Sequence, residues 1–393
     1  MTAIDSGPVL VARKIVKASR TTGSVPNAIY SRALIASLPH VPVERPHFAP
    51  NYGSDLGVRS SSDPREYFAG TVERMGIRAD IDLAATIRDV SQGWAEETLT
   101  DTQLAAHMDS LISFVGSWHS AAELGRHVLD SNRPVLSHRA LTYIASAQSA
   151  IGSDEAGRLF QLAGETPDAT LPDKAMAGVR RAAWLIKRRG DLVAGSVQLA
   201  ETIRKISEWA DDFLISAADR SVLSAVCLNL QALNLARSRD LKSALETLRH
   251  GNELIRADEL VTVGEDARRR YAAQISVNIA QVYCKSDMVP AAVALMAEHC
   301  EWVRANHVGS VSEALAIYGY ALYLNEDYSL AETVLAESTA LIAEEGAPSR
   351  LMTARKIRAV CLDRIGRSNE CSDLVRAIEA DPLGIDGFRW GDS

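Results

Sequence analysis

Arg239-Asp240-Leu241-Lys242-Ser243-Ala244 decides the fold of this chain. The apolar stretch Val222–Ala236 runs into it and the stretch Ser243–Ile255 runs out, both with large apolar residues at three- and four-residue spacing. A short carboxylate such as Asp240 accepts an orphan amide hydrogen at the start of a helix. A small residue four positions on, here Ala244, lets two packed helices approach closely. The six residues read as the turn of a helical hairpin.

The same polar-to-small step recurs on either side, as Ser153/Gly157, Asp191/Gly195, Asp240/Ala244, Asp287/Ala291, Asp327/Ala331 and Arg367/Cys371. Successive steps are 38, 49, 47, 40 and 40 residues, the period of stacked helical hairpins. Eight residues past each marker a large apolar residue returns (Leu199, Leu248, Leu295, Leu335, Val375), except that Gln161 stands there in the first unit. Asp287 and Asp327 are expected to cap their second helices as Asp240 does, with Pro290 in a first turn, where proline is tolerated. One hairpin cannot bury its apolar face alone, so stacking supplies the core. No stretch alternates with period two, so the fold class is all-α.

Upstream the pattern changes. Residues 8–38 suit two short helices, Val9–Arg20 and Asn27–Leu38, and residues 39–64 are punctuated by Pro39, Pro42, Pro46, Pro50 and Pro64. Residues 1–64 thus read as a basic arm rich in Pro, Ser and Gly. The acid-free stretch 9–38 also has the composition of an organelle transit peptide, and an arm packed on the array or on a partner is the other reading. Helical spacing over Glu66–Met75, Asp82–Gly93 and Leu104–Val115 marks residues 65–135 as a helical bundle leading into an array over 136–393.

The 393 residues carry a net charge of −8, divided into +4 over residues 1–60 and −12 over the rest. An acidic body argues against a nucleic-acid surface along the array, and the proline-broken N-terminal segment lacks a helix-turn-helix pattern. Five cysteines without a CxxC pair sit in apolar stretches, which points to a reducing cytoplasm. The longest apolar runs are too short to span a membrane.

Glu326-Asp327-Tyr328-Ser329-Leu330-Ala331 is similar to the Gly-Asp-Tyr-x-x-Ala turn of the tetratricopeptide repeat (TPR) superfamily, and Gly319 falls where its first-helix glycine sits. Lys-Arg-Arg-Gly-Asp at 187–191 is a looser match, and the resemblance covers about residues 139–381. Aliphatic residues replace most of the family's aromatic positions, and the long repeat looks more like those of bacterial transcriptional activators and peptide-sensing regulators. The resemblance implies a right-handed superhelical array of antiparallel helix hairpins, a TPR-like α-solenoid, whose first helices line a concave groove.

Counting back −11, −7, −4 and −3 from each marker gives the groove positions that this implies. They are Arg180, Trp184, Lys187 and Arg188; Asn229, Leu233, Ala236 and Arg237; Ser276, Ala280, Tyr283 and Cys284; Ala316, Tyr320, Tyr323 and Leu324; and Lys356, Val360, Asp363 and Arg364. Of these, Arg180, Trp184, Lys187, Arg188, Asn229, Arg237, Tyr283, Tyr320, Tyr323, Lys356 and Arg364 are the binding candidates, with cations at both ends and tyrosines between. Arginine forks grip carboxylates and phosphates, and tyrosine offers rigid contact area, so an anionic protein or peptide segment suits the surface. The competing reading packs the tyrosines between hairpins and leaves the arginines solvated.

Catalytic and metal signatures are weak. His119/His127 and His299/His307 are each eight residues apart, about 12 Å along a helix and too far to share one metal. There is no HExxH, glycine-rich phosphate loop or GxSxG elbow. The expectation is a cytoplasmic, non-enzymatic adaptor or regulator without cofactor or metal. Alternatives are a peptide-responsive sensor that switches partners through its N-terminal helices, and an enzyme with a cryptic site. The tail Phe388-Arg389-Trp390 can cap the last hairpin or join two copies in a homodimer.

Overall fold

The computed structural model describes residues 83–109, 118–256, 265–307, 310–345 and 348–380. The expected arm over 1–64, its two helices, the helix Glu66–Met75 and the tail at 388–390 lie outside the described residues. What is described is helical, with no strand among those residues. In chain order the helices are α1 Leu83–Ala95, α2 Asp101–Asp109, α3 Trp118–Leu129, α4 His138–Ala150, α5 Ala156–Glu165, α6 Leu171–Trp184 and α7 Leu192–Asp211. There follow α8 Ala217–Arg237, α9 Leu241–Ile255, α10 Glu265–Lys285, α11 Val289–Asn306, α12 Val311–Leu324, α13 Tyr328–Glu345, α14 Pro348–Arg364 and α15 Ser368–Ala380. A π-helical turn, Leu185–Arg189, continues α6. All six predicted turn markers fall between two helices.

The chain divides into two compact units. Of the described residues, one takes in 83–109, 118–135, 146–151, 335–345 and 348–380. Within it α1 packs on α3, and α14 on α15. Trp94 is wholly buried; its indole N–H donates to Ser131 Oγ at 3.1 Å, and the Arg133 guanidinium lies 3.9 Å from its ring centre. Arg133 also donates to the carbonyls of Leu99 and Trp94, so one cation closes the turn between α1 and α2.

The other unit is Leu136–Ala145 with Gly152–Val334. Here each helix from α5 to α12 packs on the next, and the first helices α6, α8, α10 and α12 also touch in order down a row. Leu199 and Ile206 of α7 meet Val179, Ala182 and Ile186, while Leu245 and Leu248 of α9 meet Ile275 and Ile279 of α10. Such shared clusters are what helices stacked in sequence, without a core within each pair, require.

The turns share a closure that the sequence pattern shows only in part. A residue with left-handed backbone ends each first helix: Gly152, Gly190, Arg239, Asp287, Glu326 and Gly366. The next amide hydrogen then reaches back five residues, Asp240 to Leu235 O, Met288 to Tyr283 O, Asp327 to Leu322 O and Arg367 to Leu362 O, at 2.9–3.0 Å. This bond satisfies carbonyls that a helix end otherwise leaves open. Asp191, Asp240 and Asp327 cap the following helices by accepting from the amides of Ala194, Ser243 and Leu330.

Asp287 departs from the expectation. It occupies the left-handed position itself, with φ 55°, and Met288 takes the cap position with no side-chain bond. The register of α11 is therefore one residue later than the sequence marker implied. Ala292 and Met296, not Ala291 and Leu295, are the fully buried pair. Val375 and Gln161 are exposed, so the packing residue eight past the marker holds at Leu199, Leu248 and Leu335.

Three of the left-handed residues carry a Cβ: Arg239, Asp287 and Glu326. An L-residue costs about 1–2 kcal/mol in this conformation, partly offset by the greater unfolded-state freedom of glycine. Arg239→Gly and Glu326→Gly are each expected to stabilise the protein by about 0.5–1 kcal/mol in urea denaturation. A loss of stability in both variants would contradict the turn geometry.

Candidate functional site

The groove candidates separate into clusters with different jobs. Arg180 is half-buried on α6. Trp184, at the end of that helix, turns its ring onto α5, where a Cβ at Gly157 would lie 2.5 Å from the ring. It acts as packing between α5 and α6, and its buried indole N–H has no hydrogen-bond partner among the described residues. The Arg189 guanidinium sits 5.9 Å from the ring centre and pairs with Asp154.

Lys187 and Arg188 stand on the π-helical turn and are exposed. This turn explains the hairpin's local geometry. The closing bond from Asp191 reaches back six residues, to Leu185 O at 3.0 Å, one more than at Asp240, Met288, Asp327 and Arg367. A π turn accommodates one extra residue in a helix end. Arg237, at the end of α8, donates to Ile186 O within it. Lys187, Arg188 and Arg237 thus meet at the adjoining ends of two first helices. Lys187 stays in contact with solvent, yet crowding around its ammonium lowers its pKa, and the charges of Arg237 and Arg188 lower it further.

Asn229 on α8 is buried and joined to α10. Asn278 Nδ2 donates to its Oδ1 at 2.8 Å, and its own Nδ2 donates to Gln274 Oε1 at 3.4 Å. Gln274 and Asn278 were not among the sequence candidates. They belong to a stripe on α10, Arg270, Gln274, Asn278, Gln281 and Lys285, that keeps solvent access. Counting back from Met288 rather than Asp287 places the exposed Gln281 and Lys285 at −7 and −3, whereas Gln274 and Asn278 fall at none of the counted positions.

The same slip moves Tyr283 off that stripe. It packs beside the buried core of α9 and α10, and its hydroxyl accepts from Arg249 Nη2 at 3.0 Å. Ser276 and Ala280 are fully buried. Tyr320 and Tyr323 do come together, stacked with ring centres 6.4 Å apart, and Tyr323 continues to Tyr328 at 6.0 Å. Lys356 and Arg364 are exposed on α14, which belongs to the other compact unit.

Two hollows lie elsewhere in the second unit. One of about 620 Å³ adjoins the exposed Phe213 and Leu214. The other, about 500 Å³, lies between α5, α6 and α7, and two of its cations are already paired, Arg204 with Glu208 and Lys205 with Glu201. Among the described residues no group of three His, Cys, Asp or Glu is placed to hold a metal ion. The Cys227 thiol is pushed up to about 12 by burial, which keeps it protonated and unreactive. No described helix is long and apolar enough to cross a membrane.

No protein-family model matches this chain, and no curated protein matches it.

Proposed function

We propose that this chain is a TPR-like, right-handed superhelical array of antiparallel hairpins that binds a protein or peptide segment along its row of first helices. In this reading it acts in the cytoplasm as a non-enzymatic adaptor or regulator. The observation that carries the reading is the row itself. Helices α6, α8, α10 and α12 touch in order, and the row offers cations at Lys187, Arg188 and Arg237, amides at Gln274, Asn278 and Gln281, and rings at Tyr320 and Tyr323. Amides donate and accept at once, which suits an extended main chain, and the tyrosines supply rigid contact area.

Site-specific photo-crosslinking in the native host tests the proposal. A benzophenone side chain at position 281 is expected to trap a discrete protein or peptide, and one at position 246, exposed on the second helix α9, is expected not to. Equal labelling from the two positions, or none from 281, would overturn it. Asn278→Ala with Gln281→Ala is then expected to weaken binding of the trapped segment roughly tenfold, about 1.4 kcal/mol.

A further inference from the structure

The π-helical turn after α6 concentrates positive charge that is only partly balanced by acids among the described residues. Lys187, Arg188 and Arg189 are consecutive, and Arg189 alone of the three pairs with a described carboxylate, Asp154. Arg237 approaches from α8 and donates to Ile186 O through one nitrogen, which leaves the rest of its fork unoccupied. Among the described residues neither Lys187, Arg188 nor Arg237 has a carboxylate partner. Residues 61–393 carry a net charge of −12, so a pairing acid would be an ordinary feature here.

We propose that Lys187, Arg188 and Arg237 together bind a single oxyanion, a carboxylate or a phosphate group, over the π-helical turn. The bond from Arg237 to Ile186 O fixes one fork beside the backbone of residue 187, so two of the three cations are held near each other before any ligand arrives. A fork of parallel N–H donors suits a planar carboxylate or a phosphate face, and an ammonium adds a mobile point charge. Both first helices end here, and their carbonyl ends offset part of the repulsion among the cations. Crowding around the Lys187 ammonium and the charges of Arg237 and Arg188 lower its pKa, and a bound oxyanion opposes that shift through its negative charge. The site does not depend on the ligand being a peptide: an acidic side chain, a chain terminus or a phosphate monoester presents the same oxygens.

Isothermal titration calorimetry on the full chain tests this, with inorganic phosphate and acetate as probes at ionic strength held constant with sodium chloride. The expected result is one saturable site for at least one anion. Lys187→Gln and Arg237→Gln should each weaken it roughly tenfold, the loss of one charge-assisted contact. Arg189→Gln, which removes a neighbouring cation already paired with Asp154, should leave the affinity unchanged. Preference for phosphate assigns a phosphate group as ligand, and comparable binding of acetate assigns a carboxylate. If Arg237→Gln melts early in the absence of anion, Arg188→Gln, which alters an exposed side chain, replaces it in the comparison. Phosphate is also expected to raise the Lys187 pKa towards its ordinary value, read from the ε-methylene resonance. No saturable heat with either anion, or equal losses in Arg189→Gln and Lys187→Gln, overturns the proposal.

Discussion

Between pH 7 and pH 4 the wild-type protein should lose about 3 kcal/mol of stability that a His299→Leu variant keeps. His299 lies on α11, 2% exposed, with its ring stacked 5.8 Å from Trp302. Neither ring nitrogen has a hydrogen-bond partner among the described residues. Burial pushes its pKa down from 6.5 to about 4, and the charge of Arg256 contributes in the same direction. A depressed histidine pKa means that the unfolded chain binds a proton the folded chain refuses. Its contribution to stability is therefore complete above about pH 6.5 and falls by about 1.4 kcal/mol per pH unit below it. The fall ends near pH 4, where the native ring is protonated too. Urea denaturation of wild type and variant at pH 7, 5.5 and 4 measures the difference, because carboxylates elsewhere affect both proteins alike. Parallel pH profiles would show that His299 is not the titrating group. At pH 7 leucine should cost little, since it also removes an unsatisfied buried N–H.

The sequence marker falls between two helices at each of its six places, and at three of them two local requirements coincide. A polar side chain must accept an open amide, and a small residue must let the helices close. Asp191, Asp240 and Asp327 meet the first, and Gly157, Gly195, Ala244 and Ala331 the second. What the pattern hides is a second position, the left-handed residue before the cap. Aspartate tolerates either conformation, so Asp287 reads as a cap when Met288 is the capping position. One residue turns a helix by about 100°, which is why Tyr283 faces α9 while Gln274, Asn278 and Gln281 take the accessible side of α10. The π-helical turn is illegible for a different reason. Leu-Ile-Lys-Arg-Arg has nothing unlike an α-helix in its composition, and the extra residue shows only in the six-residue reach from Asp191 to Leu185. The charged and aromatic candidates are placed by different constraints. Lys187, Arg188 and Arg237 cluster at helix ends, where long side chains can reach, whereas Trp184 and Tyr283 follow apolar packing.

Gly195→Ala is expected to destabilise the protein by about 2 kcal/mol, although alanine is the better helix former. A Cβ at this position in α7 would stand 2.3 Å from Ile186 Cγ1 and 2.9 Å from its Cδ1, well inside contact distance. Ile186 is fully buried and belongs to the π-helical turn, so it can yield only by straining its rotamer or moving that turn. Truncating Ile186 to alanine alone leaves a cavity and should cost about 2–5 kcal/mol. The two costs have opposite origins, an excess and a deficit of volume at one point. The double variant should therefore be more stable than the sum of the single losses by at least about 1 kcal/mol, a coupling that a double-mutant cycle in urea measures. Simple additivity would mean that the two residues do not meet as described. The same contact ties packing to the cationic cluster, because the carbonyl of Ile186 holds Arg237. An Ile186 displaced by Gly195→Ala shifts the residue that orients one guanidinium, whereas the double variant restores room for the turn. Phosphate affinity should accordingly fall in the single variant and recover in the double, even though neither substitution changes a charge.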